Sequence, residues 1–431
     1  MGRRTTGPGW RAVCRGAVAA AVLGLWVPSA VAAAAEPSYG FAPDARTIPG
    51  VAGTAQAVPL TAGRVYRSSL PVSEAVHYRL DLDATSNAYV SATAVPPPDA
   101  AVSASDGVRV SVRDGDDHIC SSETETFGGG QSARPLTAVA ERLFNRARQR
   151  CATAGTYYAV VERVGTTAVG DAAWDLELAV YSEPALTRPE PTAAPEARNS
   201  ESAAPLTGEE VRRDGGTGFA SAVGVAQGVW RTDLTPGQTA FYKVPLGWGE
   251  RLQATADLAA SGAGSRVVVG ALELSLHSPV RAVLDEENLN FDGRARSASL
   301  DPTPPVAYEN RYSSSDEVKG ARFGGSYYLA VHLSARMTER FGDGPFAVTL
   351  RVRVEGSEQA GPAYGGQFAP RGVFAPVAGV GGASGLPSGG GGSDDDGRTM
   401  TIVAVSGIGG GTAILAVLGV WTVAARRRAV P

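Results

Sequence analysis

Hydrophobic positions along most of this chain recur at every second residue. Leu272, Leu274 and Leu276 alternate with polar neighbours, and so do Val348, Leu350 and Val352. A period of two is that of a strand with one face turned inward. Turn signals separate the runs, among them Thr235-Pro-Gly237, Asp114-Gly115 and Gly324-Gly325. Many short antiparallel strands, each with one apolar face, pack as β-sandwiches. Two stretches break the pattern. Gly16 to Val27 is a short apolar run, and Met400 to Ala425 carries no charge and is rich in Val, Ile, Leu, Ala and Gly. At ~1.5 Å per residue the second can cross a bilayer as a helix, which needs ~20 apolar residues. The first is too short.

The alternating region is written twice. Val65-Tyr-Arg-Ser-Ser-Leu70 matches Val229-Trp-Arg-Thr-Asp-Leu234, and His77-Tyr-Arg-Leu-Asp-Leu82 matches Phe241-Tyr-Lys-Val-Pro-Leu246. Val90-Ser-Ala-Thr-Ala94 matches Leu252-Gln-Ala-Thr-Ala256, and Val110-Ser-Val112 matches Leu274-Ser-Leu276. Gly155-Thr-Tyr-Tyr-Ala-Val-Val161 matches Gly325-Ser-Tyr-Tyr-Leu-Ala-Val331, and Trp174-Asp-Leu-Glu-Leu-Ala-Val180 matches Phe346-Ala-Val-Thr-Leu-Arg-Val352. Six segments in a kept order indicate a tandem duplication. The paired aromatics Tyr66/Trp230, Tyr78/Tyr242 and Tyr157/Tyr327 are expected to plug the cores or the sheet ends, ligand stacking being their other use.

The strand ending near Leu234, followed by Thr-Pro-Gly-Gln and Phe-Tyr-Lys-Val, and the two late Gly-x-Tyr-Tyr segments at Gly155 and Gly325 resemble the bacterial pre-peptidase C-terminal (PPC) domain. The resemblance covers most of both blocks. It implies jelly-roll-like β-sandwiches of the kind that accompany secreted enzymes, and in some relatives bound calcium. The expected fold is therefore all-β: two tandem jelly-roll-like β-sandwich domains plus a single C-terminal transmembrane helix.

Composition sharpens the picture at the ends and between the blocks. Gly (54) and Pro (28) are abundant in the 431 residues, which suits a turn-rich β body with linkers. A net charge of −4 with scattered basic residues argues against a nucleic-acid surface. Arg3, Arg4, Arg11 and Arg15 precede the first apolar run, and small residues from Ser29 to Ala35 follow it, the layout of a secretory signal cleaved near Ala35. Arg426, Arg427 and Arg428 follow the uncharged C-terminal stretch, while Asp394, Asp395 and Asp396 precede it, which places the bulk of the chain outside the cell membrane as a single-pass type I protein. Expected boundaries are a signal peptide over 1–35, one sandwich over 36–183, a Pro/Ala-rich linker over 184–216, a second sandwich over 217–355, a Gly/Pro-rich stalk over 356–398, a membrane helix over 399–425 and a cytoplasmic tail over 426–431.

Candidate chemistry is sparse. Three Cys and four His nearly exclude a multi-ligand Cys/His metal site. Cys120 and Cys151 are the two cysteines left after signal removal and are expected to form one disulfide, pinning a short helical insertion over 135–150 in which Leu136, Val139, Leu143 and Phe144 fall at helical spacing. Asp114, Asp116 and Asp117 in a turn, with Asp285, Glu286 and Glu287 at a comparable place in the second block, form candidate Ca²⁺ ligands, since calcium takes six to eight oxygens. Acidic turns are also ordinary solvated loop tips. There is no Gly-x-Ser-x-Gly elbow and no His-Glu-x-x-His motif, and His77, His118, His277 and His332 are dispersed.

The reading that follows is a non-catalytic, membrane-anchored extracellular protein. It needs no cofactor beyond the candidate Ca²⁺, and its partner is an envelope protein or a polysaccharide. Two alternatives stand beside it. One is a cell-envelope hydrolase or accessory subunit with a site near Asp114 to His118. The other is a receptor-like subunit acting through a membrane partner.

Overall fold

A computed structural model describes residues 39–144, 151–165, 172–188, 190–193, 204, 206–262 and 267–374. The expected signal peptide, part of the first linker, the distal stalk, the membrane helix and Arg426 to Arg428 lie outside them. Among the described residues no helix is long and apolar enough to cross a membrane.

The first block forms ten strands: β1 (Arg46–Thr47), β2 (Val58–Leu60), β3 (Val65–Leu70), β4 (Val76–Leu82), β5 (Ser86–Val95), β6 (Gly107–Arg113), β7 (Ile119–Thr126), β8 (Leu136–Arg142), β9 (Gly155–Val164) and β10 (Trp174–Pro184). The second forms β11 (Glu210–Arg212), β12 (Val223–Gly224), β13 (Gly228–Leu234), β14 (Thr239–Leu246), β15 (Arg251–Leu258), β16 (Val268–His277), β17 (Val283–Phe291), β18 (Arg296–Ser299), β19 (Gly325–Leu333) and β20 (Phe346–Glu355). Each block makes two five-stranded sheets. The orders β1-β3-β10-β5-β8 and β2-β4-β9-β6-β7 recur as β11-β13-β20-β15-β18 and β12-β14-β19-β16-β17. Adding ten to every label converts one block into the other, so the duplication read from six segments extends to the whole topology.

Within each block the alternating apolar side chains of the two sheets meet. Leu176, Leu178 and Val180 of β10 face Val108, Val110 and Val112 of β6 in one core. Leu272, Leu274 and Leu276 of β16 and Val348, Leu350 and Val352 of β20 build the other. The repeated tyrosines are core plugs with satisfied hydroxyls. Tyr157 and Tyr327, both buried, each donate to a carbonyl four residues back, Thr153 and Phe323. Burying the ring while the hydroxyl keeps a partner avoids an unpaired polar group.

Three expectations change. Residues 136–142 form a strand, not a helical insertion. Leu136, Ala138 and Ala140 point into the core while β8 pairs with β5 along seven residues. Small alanines at the inward positions hid the period of two behind the larger Leu136, Val139 and Leu143. The segment expected to open the stalk instead packs back on the body over 356–374. Phe374 is buried against Tyr181 and Phe323, Tyr364 bonds Glu183, and Ala369 bridges to Ser182. The opening residues of the expected linker, Pro184 to Thr187, likewise pair with this strap. The two sandwiches belong to a single compact unit.

Candidate functional site

The β3-β10-β5-β8 sheet of the first sandwich lies face to face with the β14-β19-β16-β17 sheet of the second. The inner strands of these two sheets, β10 and β5 in one and β19 and β16 in the other, are buried on both faces. On β10, Glu177, Ala179, Tyr181 and Glu183 alternate with the core residues, yet all four are at most 3% exposed. On the opposing strands Phe241, Glu273, Ser275, His277, Tyr328, Ala330 and His332 occupy the corresponding outward positions and are also buried. Apolar parts of this interface cluster around Tyr39, Phe219, Phe241 and Tyr328 on one side and around Tyr89, Tyr181, Phe323 and Phe374 on the other.

Charged pairs cross between them. Arg281 bonds Glu177 at 2.6 Å, and Glu177 also accepts from Tyr39 Oη and the Ala42 N–H. Arg311 bonds Glu183 at 2.7 Å, and Glu183 also accepts from Tyr89 Oη at 2.6 Å and Asn87 Nδ2 at 2.8 Å. Burial pushes the Glu183 carboxyl up, but these donors outweigh it and hold the group below the ordinary glutamate value. Arg134 pairs with Glu273, and Arg322 with Glu141. Each of these four arginines therefore finds its carboxyl partner on the other sandwich, as desolvated cations require.

Where the interface opens to solvent, the sandwiches form the walls of a cleft of about 1520 Å³. The first contributes Asn87 from β5, Ile119 and Cys120 from the start of β7, Leu143 and Phe144 after β8, and Cys151. The second contributes the one-turn segment Tyr308–Tyr312, together with Lys319 and Arg322. Ile119 (57%), Leu143 (40%) and Tyr312 (42%) are among the most exposed large apolar side chains of the described residues. The floor is polar and internally neutralised. Arg311 is held by Glu183 and lies over the Tyr308 ring at 3.5 Å, Arg322 is held by Glu141, and Lys319 by Asp316. With Glu141 engaged by Arg322, no free carboxylate pair of the kind glycoside hydrolysis uses is assembled among these residues. The arrangement suits binding: apolar side chains exposed beside fixed hydroxyls, amides and paired charges.

The Cys120–Cys151 disulfide is present as expected and stiffens the cleft wall. The acidic candidates fare differently. Asp114 and Asp116 come together with His118, which reading the turn by its acids alone did not include, and Asp117 turns away to Arg113. Burial pushes Asp114 up, and the N–H groups of His118 and Asp116 together with the His118 side chain outweigh it, holding the carboxyl below the ordinary aspartate value. Asp116, Asp117 and His118 are exposed, and none of the Asp114 to His118 side chains lines the cleft. A hydrolytic site near Asp114 to His118 therefore has no enclosed ground to stand on. Asp285, Glu286 and Glu287 lie within strand β17 rather than in a turn. Alternation sends Glu286 to the face opposite Asp285 and Glu287, so the three carboxylates do not converge. Asp285 accepts from the Asp301 N–H and Glu286 pairs with Arg134.

No family model matches the chain, and no curated protein matches it. Among solved structures it is similar to a tandem pair of CBM22 modules from Paenibacillus barcinonensis, at 9% identity over 68% of this chain and 85% of that one, with a TM-score of 0.18. It is similar to tandem CBM51 modules of a family 98 glycoside hydrolase from Streptococcus pneumoniae, at 9% identity over 69% and 85%, with a TM-score of 0.19. It is also similar to the ANX1 ectodomain from Arabidopsis thaliana, at 10% identity over 70% and 92%, with a TM-score of 0.19. At these scores none bears on what the present chain binds.

Proposed function

We propose that this chain is a non-catalytic binding protein, exported and held in the cell membrane by its uncharged C-terminal stretch, that takes an extended envelope polysaccharide in the cleft between its two sandwiches. The observation that carries the reading is the cleft itself. Its volume of about 1520 Å³ exceeds the ~300–1,000 Å³ of small-molecule pockets. Tyr312, Ile119 and Leu143 offer apolar surface to the faces of sugar rings, while Thr85, Asn87, Ser121, Thr187 and Ser313 offer hydroxyls and amides to their edges. The paired cations on the floor leave no strong unbalanced charge, which suits a polyol better than a nucleic acid. The anchor rests on the Met400 to Ala425 stretch and on Arg426 to Arg428, and the Gly-x-Tyr-Tyr strands keep the PPC-like reading of each module within this proposal.

The test is binding of purified envelope polysaccharide fractions to the full-length protein by calorimetry. Tyr312→Ala combined with Ile119→Ser is expected to weaken binding at least tenfold while leaving the unfolding midpoint in place. Absence of binding to every fraction, or binding indifferent to both substitutions, rejects the cleft as a polysaccharide site. Protease shaving of intact cells tests the anchor separately: the body is expected to be removed from outside.

A further inference from the structure

A second site lies deep in the interface, away from the cleft. Arg134, reaching from the loop before β8, is 5% exposed and is, among the described residues, the one cation lining this cavity with three carboxylates. It pairs with Glu273 of β16 and stands 3.5 Å from Glu286 of β17. Glu125 of β7, half-buried, lines the same cavity. The remaining neighbours bring no further positive charge. His332 of β19, paired in register with Glu273, shares its ring nitrogens with Thr239 of β14 and with Ser132, both hydroxyls at 2.9 Å. His277 of β16 shares its own with Ser275 and with the Arg281 carbonyl, and Arg281 is committed to Glu177. Asn288 of β17 stands opposite Glu273. The cavity measures about 20 Å³, room for little more than one water, which takes ~10–15 Å³. Three ionised carboxylates around one guanidinium would leave net negative charge in a poorly solvated interface, carried by Glu273 and Glu286 of the second sandwich, because Glu125 and Arg134 of the first offset each other.

We propose that this cluster is a proton-operated latch: it holds the two sandwiches together while its carboxyls keep a proton, and weakens their docking as that proton leaves. The chemistry supports the direction. Burial pushes Glu273 up to about 8 in spite of Arg134, and burial with the nearby Glu286 pushes Glu125 up to about 7. A carboxyl raised above its unfolded value stabilises the folded state fully below that unfolded value and ceases to do so as pH rises through the folded one. The latch therefore loosens between about pH 5 and 8 and is largely released above that. The two histidines set the other limit. Burial lowers His277 to about 4 and His332 to about 3. Their contribution is present above the unfolded histidine value and is lost as pH falls through those folded values. The docking of the sandwiches is thus bounded on both sides, and the alkaline limb falls in the range an exposed surface meets. The latch stands whether or not the cleft takes a ligand.

The test uses the full-length protein, with urea unfolding followed from pH 6.5 to 9. A single carboxyl held near 8 is expected to raise the unfolding constant on the order of thirtyfold over that range. Glu273→Gln, which keeps the shape and a hydrogen-bond donor for its neighbours, is expected to flatten the slope. Should that variant fail to fold, Glu125→Gln at the edge of the cluster is expected to reduce the slope in part. Hydrogen exchange locates the effect: amides of β5, β10, β16 and β19 are expected to exchange faster at pH 9 than at 6.5 after correction for intrinsic rates, ahead of the outer strands β6 and β15. A wild-type midpoint that does not move, or a slope unchanged in both variants, or exchange that rises equally in the outer sheets, overturns the latch.

Discussion

The β10 face of the first sandwich and the β20 face of the second are the same surface written twice, and they meet opposite fates. Glu177, Ala179, Tyr181 and Glu183 correspond to Thr349, Arg351, Arg353 and Glu355. The first set is buried under the other sandwich; the second set is only partly covered. The complementary surfaces show the same contrast in reverse. Glu273 and His332, buried, correspond to Arg109 and Glu162, which make an ordinary exposed pair at 3.1 Å. Phe241, buried, corresponds to His77, which is half-exposed. The two copies thus pack head to tail, one kind of sheet against the other, not face to matching face. Such a contact does not close on itself and could in principle be propagated by a third copy. The two free faces carry charge, Arg109 and Glu162 on one and Arg351 and Arg353 on the other, as terminal repeats of stacked proteins require a polar outer side.

The sharpest way to break this comparison is to give the buried face the residue of the free one. Ala179→Arg copies Arg351 into the interface, where the carboxylate next along the same strand face, Glu177, is already held by Arg281. An unpaired buried charge of this kind costs about 3–5 kcal/mol, with overpacking added. The expected result is loss of docking, read as two separate unfolding transitions in place of one. One transition at the original midpoint would show that the face is not covered.

A smaller effect is expected at the tightest approach of the two sandwiches. Gly270 has φ +60°, and a Cβ there would lie 2.3 Å from the Gly130 Cα of the other sandwich. Gly270→Ala meets both a conformational and a steric penalty, together roughly 1–3 kcal/mol. The loss should appear in the unfolding midpoint while the Tyr312 side of the cleft keeps its ligand affinity. A neutral or stabilising Gly270→Ala would mean that the sandwiches do not approach here.

The residues themselves show why the strands could be read and the interface could not. Leu272, Leu274 and Leu276 announce a strand by period alone, and the Gly-x-Tyr-Tyr copies align β9 with β19 by their residues. Cys120 and Cys151, the two cysteines outside the N-terminal apolar region, pair as their number suggests. Burial of the second face is a different matter. Glu177 and Glu183 sit where a solvent-facing residue would sit, and only their cross-sandwich partners, Arg281 and Arg311, over 100 residues away, explain their burial. A faint signal existed on β5, where the outward positions Tyr89, Ser91, Thr93 and Val95 carry no charge at all. The strap was hidden by composition: glycine, proline and alanine around Tyr364, Phe368 and Phe374 read as linker, although those three rings pack together.

The smallest expected effect falls on the free face and sharpens the comparison from the other side. Arg351 bonds Asp257 at 2.6 Å, with the two side chains 23% and 28% exposed. By strand register, which shifts the β5/β15 sequence match by two residues, their counterparts in the first sandwich are Ala179 and Thr93, both buried, with Thr93 hydrogen-bonded to Thr137 at 2.9 Å. A half-exposed pair gains little, because water screens the attraction and two long side chains lose freedom to form it. Asp257→Asn is therefore expected to cost about 0–1 kcal/mol and to leave the alkaline limb of the pH profile where it was. Gel filtration of this variant carries the sharper reading. If charge on the β20 face is what ends the stack at two sandwiches, neutralising one acid should leave the chain monomeric, since Arg351 and Arg353 still lie on the face and would be buried unpaired by a third copy. Appearance of dimers at low salt in Asp257→Asn would place the block to further stacking in that one carboxylate and not in the arginines.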